Sequence, residues 1–255
     1  YSEKENDEVI NYSQENGDLS VQAAVEVANT QKWDLTKVDI VYDTDNIPVP
    51  VPKGYVASDV DGEHTVSTGF VIYDGDTKVT NDNAWEESCK RNQWVWVPVA
   101  DMNRIFVADT NGKTRTKLYN YTTKGRTSFF NNDYEPGVLS INYDTEVMFE
   151  LSNMNGMTKQ RLLQEMQKQL EDTMESIKKY GGFWIGRYET GNLNQKVPVL
   201  QRMQKSASAS WYIAYTNMQR IDVKENVRTS MIYGGLWDET LQWLIDSGNK
   251  TNDGI

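Results

Sequence analysis

The chain has 255 residues, 38% hydrophobic and 11% aromatic, enough to bury a substantial core as one large domain or two small ones. Its formal net charge is −11 and its pI about 4.7, and no Lys/Arg cluster stands out, which argues against a nucleic-acid partner. A single cysteine, Cys89, excludes an internal disulfide and a cysteine-built zinc site, and no apolar run is long enough to span a membrane.

In chain order, Tyr1 to Leu19 is polar and acidic and reads as a frayed arm. Ser20 to Thr30 carries Val21, Ala24, Val25 and Ala28 at the spacing of a short helix. Trp33-Asp34-Leu35 and Val38 to Tyr42 are expected to pair as short strands. Asn46 to Gly54 holds Pro48, Pro50 and Pro52, so it is extended but cannot be a central strand. Tyr55 to Ala57 and Thr68 to Tyr73 read as strands, with Asp74-Gly75-Asp76 as a turn. Asn92 to Val99 is a strand that Pro98 places at an edge or at its own end. Met102 to Leu118 holds a turn at Asp109-Thr110-Asn111-Gly112; Lys113 to Lys117 within it reads as a short solvated loop. Tyr119 to Asn142, rich in Asn, Gly and Thr, reads as a long loop.

The middle of the chain is the most legible part. Leu162, Leu163, Met166, Leu170, Met174 and Ile177 form one apolar stripe, which predicts an amphipathic helix over Thr158 to Tyr180. Lys178 and Lys179 suit the negative end of its dipole, and Gly181 can take the left-handed conformation that stops it. From Phe183 aromatic and β-branched residues take over, as a strand prefers. Phe183, Ile185 and Arg187 share one face of that strand, Trp184 and Tyr188 the other. Val197 to Leu200 is extended, Ser208 to Met218 is helical, and Val227 to Ile232 is a strand or extended approach. It leads into a helix over Leu236 to Ile245, ended by Gly248.

The order of these pieces resembles the formylglycine-generating enzyme (sulfatase-modifying factor) family, a variant of the C-type lectin fold. Trp94 to Pro98, Gly182 to Gly191, Pro198-Val199, Trp211 to Tyr215 and Val227 to Leu244 carry the match, over roughly residues 48–248. Val49-Pro50-Val51-Pro52-Lys53-Gly54 and Gly181-Gly182-Phe183-Trp184-Ile185-Gly186-Arg187-Tyr188-Glu189 are closer to a non-catalytic branch of surface, prepilin-like or phage proteins of Gram-positive bacteria. Variable ligand-binding proteins diversified by retroelements are similar in fold. Two departures stand out. Met231-Ile232-Tyr233-Gly234-Gly235 replaces the family's Arg-Leu-Pro-Thr-Glu, and the later half with its copper-binding cysteine pair has no counterpart before Ile255.

The resemblance implies an α+β fold of small twisted antiparallel sheets with two or three flanking helices, incomplete at its C-terminus. Residues 1–45 are expected to be an arm or linker and 46–255 the lectin-like domain. The chain starts at Tyr1 and stops in the polar stretch Asn249 to Ile255, so both ends are expected to be cut from a longer parent, with the arm leading to something such as a membrane anchor. Trp94–Val97 and Phe183–Tyr188 must then belong to one globule.

No complete catalytic constellation is visible, so no catalytic, metal-binding or ligand-binding residue is assigned. His64, the only histidine, sits in the turn-like Asp61-Gly62-Glu63-His64 with no orienting partner that the sequence can name. Cys89 follows Glu86 and Glu87, whose charges disfavour a thiolate. Asp43-Thr44-Asp45-Asn46 and Asp74-Gly75-Asp76 lack the Gly and Glu spacing of a calcium loop; turn-forming Asp is the default reading, with calcium kept as an alternative that no residue fixes. Trp184, Trp211, Trp237 and Trp243 are expected in the core. Trp85, Tyr119, Tyr121, Phe129, Phe130 and Tyr134 lie in loop-like stretches, where aromatics pack or meet a ligand. Arg187 and Glu189 are expected to make structural ion pairs or backbone hydrogen bonds on the core strand.

The expected function is a non-enzymatic binding or adhesion module, without a cofactor, for a carbohydrate or protein ligand on a bacterial surface or phage particle. One alternative is a sulfatase-modifying oxidase whose active site lies beyond this chain. Another is a structural, pilin-like subunit.

Overall fold

A computed structural model describes residues 33–109, 111–117, 119–122, 125–129, 153, 156–192, 198–204 and 209–249. The fold is mixed α+β, with small sheets and, among the described residues, four α-helices. The expected helix over Ser20 to Thr30 and the aromatics Phe130 and Tyr134 lie outside the described residues.

The chain first builds an antiparallel ribbon from β1 (Val38–Tyr42) and β2 (Pro48–Pro52), with Ile40 opposite Pro50. Val38 to Tyr42 therefore pairs forward with the proline segment and not back with Trp33–Leu35, which belongs to a turn closed by the Lys37 and Val38 amides on the Asp34 carbonyl. Pro48, Pro50 and Pro52 are tolerated because β2 has a ladder partner on one side only. β1 precedes the expected boundary at residue 46, yet Val41 packs with Val49 and Val51 against the main core.

That core sits on a five-stranded sheet ordered β11-β6-β4-β3-β5, from β3 (Tyr55–Asp59), β4 (Val71–Asp74), β5 (Val79–Thr80), β6 (Gln93–Pro98) and β11 (Gly182–Gly186). Every pairing is antiparallel except β3 with β5. The two tryptophan-rich segments are direct neighbours: Trp96 stands opposite Trp184 and Trp94 opposite Gly186. β6 is central, and Pro98 is its last residue, where a missing N–H is harmless.

Strand alternation gives the sheet two distinct faces. One carries Ile72, Trp94, Trp96 and Trp184 and is covered by the ribbon: Ile47, Val49 and Val51 pack there with Val66 and Phe70. Trp96 and Trp184 pack edge-to-face-like, with centroids 5.0 Å apart and planes tilted by 56°. The other face carries Val71, Tyr73, Val95, Val97, Phe183 and Ile185, and helices cover it.

The first of those helices, α1 (Ala84–Lys90), was expected as loop, and it raises the helix number above the two or three predicted. Trp85 is therefore a helical residue, although 64% exposed. The second, α2 (Lys159–Tyr180), follows the predicted stripe closely: Leu162, Leu170 and Ile177 are buried. Thr158 caps its first turn by accepting from the Arg161 amide, and Gly181 ends it in the left-handed region at φ 84°. Thr158→Ala should cost about 1 kcal/mol, read as a lower midpoint in urea with an unchanged m-value.

Between these helices lie two more hairpins. β7 (Phe106–Ala108) and β8 (Thr114–Thr116) flank the predicted turn, in which Asp109 accepts from the Asn111 and Lys113 amides. Lys113 to Lys117 is thus largely strand, not loop. β9 (Tyr119–Thr122) and β10 (Gly125–Phe129) form an antiparallel pair where a long loop was expected, so Tyr119, Tyr121 and Phe129 are strand residues.

After β11 the chain returns through a bridge of Gly191 with Val199 and enters α3 (Trp211–Met218) and α4 (Gly234–Asp246). Val227 to Ile232 is extended, with a single bridge between Val227 and Lys224. No helix among the described residues is long and apolar enough to cross a membrane.

Candidate functional site: a cleft between the sheet and the last helix

Helix α4 does not close down on the sheet along its whole length. At its N-terminus Gly235 lies against β8 and the turn at Ile105, so close that a Cβ would come within 2.8 Å of Thr116 and 2.9 Å of the Lys117 carbonyl. Leu236, packed with Ile105 and Phe106, and Glu239, paired with Arg104, are buried on that side. Further along, a cleft of about 420 Å³ opens between α4 and the sheet, at the lower end of the range for small-molecule sites.

Val71, Val95 and Ile185, side by side on neighbouring strands, make an apolar floor. Trp237 and Trp243 make the helix wall, and Gly62, Gly69 and Gly186 leave the rim low. Trp237 is 48% exposed. The two tryptophans expected in the core therefore line a cleft, whereas Trp184 joins the core and Trp211 stacks on Tyr215 at 5.2 Å. The physical reason is local: Gly235 brings only the N-terminal turn of α4 close to β8, and the face that carries Trp237, Thr240, Trp243 and Leu244 borders the gap.

One end of the cleft is polar. Arg187 follows β11 directly, anchored by its amide to the Gln93 carbonyl, so it lies just beyond the strand on which it was predicted. Its Nη2 donates to Glu63 Oε1 at 2.6 Å, and its Nη1 reaches Gln93 Oε1 at 3.1 Å and the Tyr73 hydroxyl at 3.4 Å. Glu63 Oε2 in turn accepts from Ser58 at 2.8 Å and from Tyr73 at 3.3 Å. Burial alone would lower the Arg187 pKa, but the hydrogen bond and charge of Glu63 outweigh it and the net shift is upward. Burial, then the charge of Glu63, pushes the Tyr73 hydroxyl up to about 12. The predicted structural ion pair is thus found, with Glu63 as a partner that the sequence reading did not name. Glu189 is exposed and takes no part in it.

Ser58 is 1% exposed, so its hydroxyl is committed to Glu63 and is not presented as a nucleophile. His64 is half-buried; its Nδ1 lies 2.9 Å from the Val60 carbonyl, a local backbone bond. Cys89 is half-buried in α1.

Asp43 is spent on the backbone: Oδ1 accepts from the Asp45 and Ile47 amides and Oδ2 from the Val66 amide. It acts as the turn-former expected, pinning the ribbon to the Glu63–Val66 turn. The second candidate turn behaves differently. Asp74 is held above the usual carboxylate range, first by burial and then by the charge of Asp222. Asp222, in the left-handed region at φ 46°, accepts from Asn92 Nδ2 at 2.6 Å and Trp94 Nε1 at 2.9 Å, latching the loop after α3 onto β6.

Because the Asp74 pKa is raised on folding, its contribution favours the fold fully below about 3.8 and is lost as pH rises through the folded value. Asp74→Asn should therefore melt higher than the parent chain at pH 7, with the gain vanishing toward pH 3.8. Thermal melts across that range check it. Among the described residues, no group of three or more His, Cys, Asp or Glu is placed to hold a metal ion. Compared with protein families, curated proteins and solved structures, the chain matches none.

Proposed function

We propose that this chain is a non-enzymatic binding or adhesion module of the C-type-lectin/sulfatase-modifying type, carried on a bacterial surface or phage particle. Its ligand is a carbohydrate or protein. The observation that carries the reading is the cleft, where a half-exposed Trp237 stands beside the apolar floor and a partly buried Arg187–Glu63 pair closes one end. Indole surface beside a pre-formed polar pair is a recognition arrangement: it offers contact area and orientation at little entropic cost. The side chains of an acyl- or group-transfer site would be arranged otherwise, with a nucleophile open to the cleft beside a base. Ser58, the hydroxyl bonded to a carboxylate here, is sealed off.

The family assignment is supported by the order of the sequence motifs and by the adjacency of β6 and β11, which brings the Trp94 and Phe183 segments into one sheet. The test is a glycan and protein array probed with the longest natural form of the protein, with and without calcium. Specific capture that Trp237→Ala abolishes is the expected result. Capture of nothing, together with copper-dependent oxidation of a cysteine peptide by that longer form, would overturn the proposal.

A further inference from the structure

The cleft's chemistry narrows the ligand, on the proposal that it is a binding site at all. We infer that it takes a neutral saccharide through a pair of hydroxyl groups, without calcium.

Three of the five N–H groups of Arg187 are committed, to Glu63, Gln93 and the Tyr73 hydroxyl. The Nε–H and the second Nη2–H have no partner among the described residues, and Arg187 lines the cleft. Glu63 Oε1 accepts from Arg187 alone among them, so it retains acceptor capacity. The polar end therefore presents donors and an acceptor side by side.

Charge decides between ligand classes. The guanidinium is already neutralised by a carboxylate 2.6 Å away. A ligand carboxylate or phosphate drawn to Arg187 would also meet Glu63, and its desolvation would go uncompensated. A cationic ligand meets the mirror-image problem. A hydroxyl suits both partners, because it accepts from one and donates to the other. Two adjacent hydroxyls on a ring span such a pair as a guanidinium–carboxylate fork does.

The remaining walls fit the rest of a sugar. A pyranose ring has an apolar face of C–H groups that packs on indole, and Trp237 offers one, 48% exposed. Val71, Val95 and Ile185 exclude water beneath it. The binding groups are side chains already fixed by protein hydrogen bonds, so no bridging metal is required.

The test is a glycan array carrying neutral and acidic oligosaccharides, run in excess EDTA, followed by titration of the best free sugar against tryptophan fluorescence. Neutral sugars should bind in EDTA. Trp237→Ala, at a site exposed enough to leave folding intact, should weaken them at least tenfold. Arg187→Lys keeps the charge and loses the fork, and should weaken them similarly. Binding of acidic glycans only, binding that needs calcium, or binding indifferent to Trp237→Ala would overturn this inference while leaving a binding module standing. Trp237-dependent capture of a protein in place of any sugar would do the same. Capture of neither glycan nor protein would remove the binding reading as well.

Discussion

Gly182→Ala should lower the stability of this protein by about 3 kcal/mol, a fall of roughly 6 to 12 °C in Tm for a domain of this size. A methyl group at position 182 would sit 2.4 Å from the Val97 carbonyl oxygen and 2.6 Å from the Trp96 ring. Neither neighbour can yield. The carbonyl belongs to the central strand, in register with β11, and Trp96 is 2% exposed with Trp184 packed against it. Relief would require β11 to separate from β6, which would break the pairing that joins the two tryptophan-rich segments. Gly112→Ala is the control. Gly112 has φ 75° but open space around it, so its replacement meets only the backbone penalty of about 1 kcal/mol. Near-UV circular dichroism melts compare the two. Equal losses would mean that the close approach at Gly182 has no energetic weight.

The parts of the fold that the sequence announces are those whose stability is local or periodic. The α2 helix carries its stripe, its N-cap and its left-handed glycine within one stretch, so nothing distant is needed to place it. β6 and β11 are likewise written as runs of Trp, Val, Phe and Ile. Helix α1 is different. Its seven residues hold no apolar stripe, and its one buried residue is Ser88. It is held from outside, by the Gln93 side chain and the Arg202 amide, both donating to the Ser88 carbonyl. The hairpin of β9 and β10 is polar enough to read as loop, and the two-residue β5 is defined only by its parallel pairing with β3.

The same division runs through the site. Arg187 was legible as a structural ion pair, but Glu63 was hidden inside a turn-like tetrapeptide that drew notice only for His64. The cleft is not legible in the sequence, because Trp237 and Trp243 on an apolar helix read as core residues. What overrides that reading is the close approach of Gly235 to β8, visible only once the strand is beside it. A glycine followed by an apolar helix was the available signal.

Arg187→Ala should cost about 3 kcal/mol, because it leaves the Glu63 carboxylate buried and without its cation. Glu63→Gln should cost less, since the amide oxygen can still accept from Arg187 while its NH2 donates to the Ser58 hydroxyl. Their combination should fall well short of the sum, giving a coupling of more than about 1 kcal/mol in a double-mutant cycle by urea denaturation. Arg187→Met with Glu63→Leu carries the argument to its end. It replaces the ion pair by apolar groups of similar bulk, a change often near neutral in itself, so the cost is that of the buried Ser58 and Tyr73 hydroxyls left without their carboxylate acceptor, about 1 to 3 kcal/mol. Such a variant should fold, yet offer the cleft neither the guanidinium donors nor the carboxylate acceptor. If the pair is kept for recognition, ligand binding is lost while the melt falls by no more than those unpaired hydroxyls account for. If the pair exists only to hold the turn of Glu63 against β11, the double variant unfolds early and binding, where it is folded, survives. Measuring both quantities on one protein separates the two roles in a way that neither single substitution can.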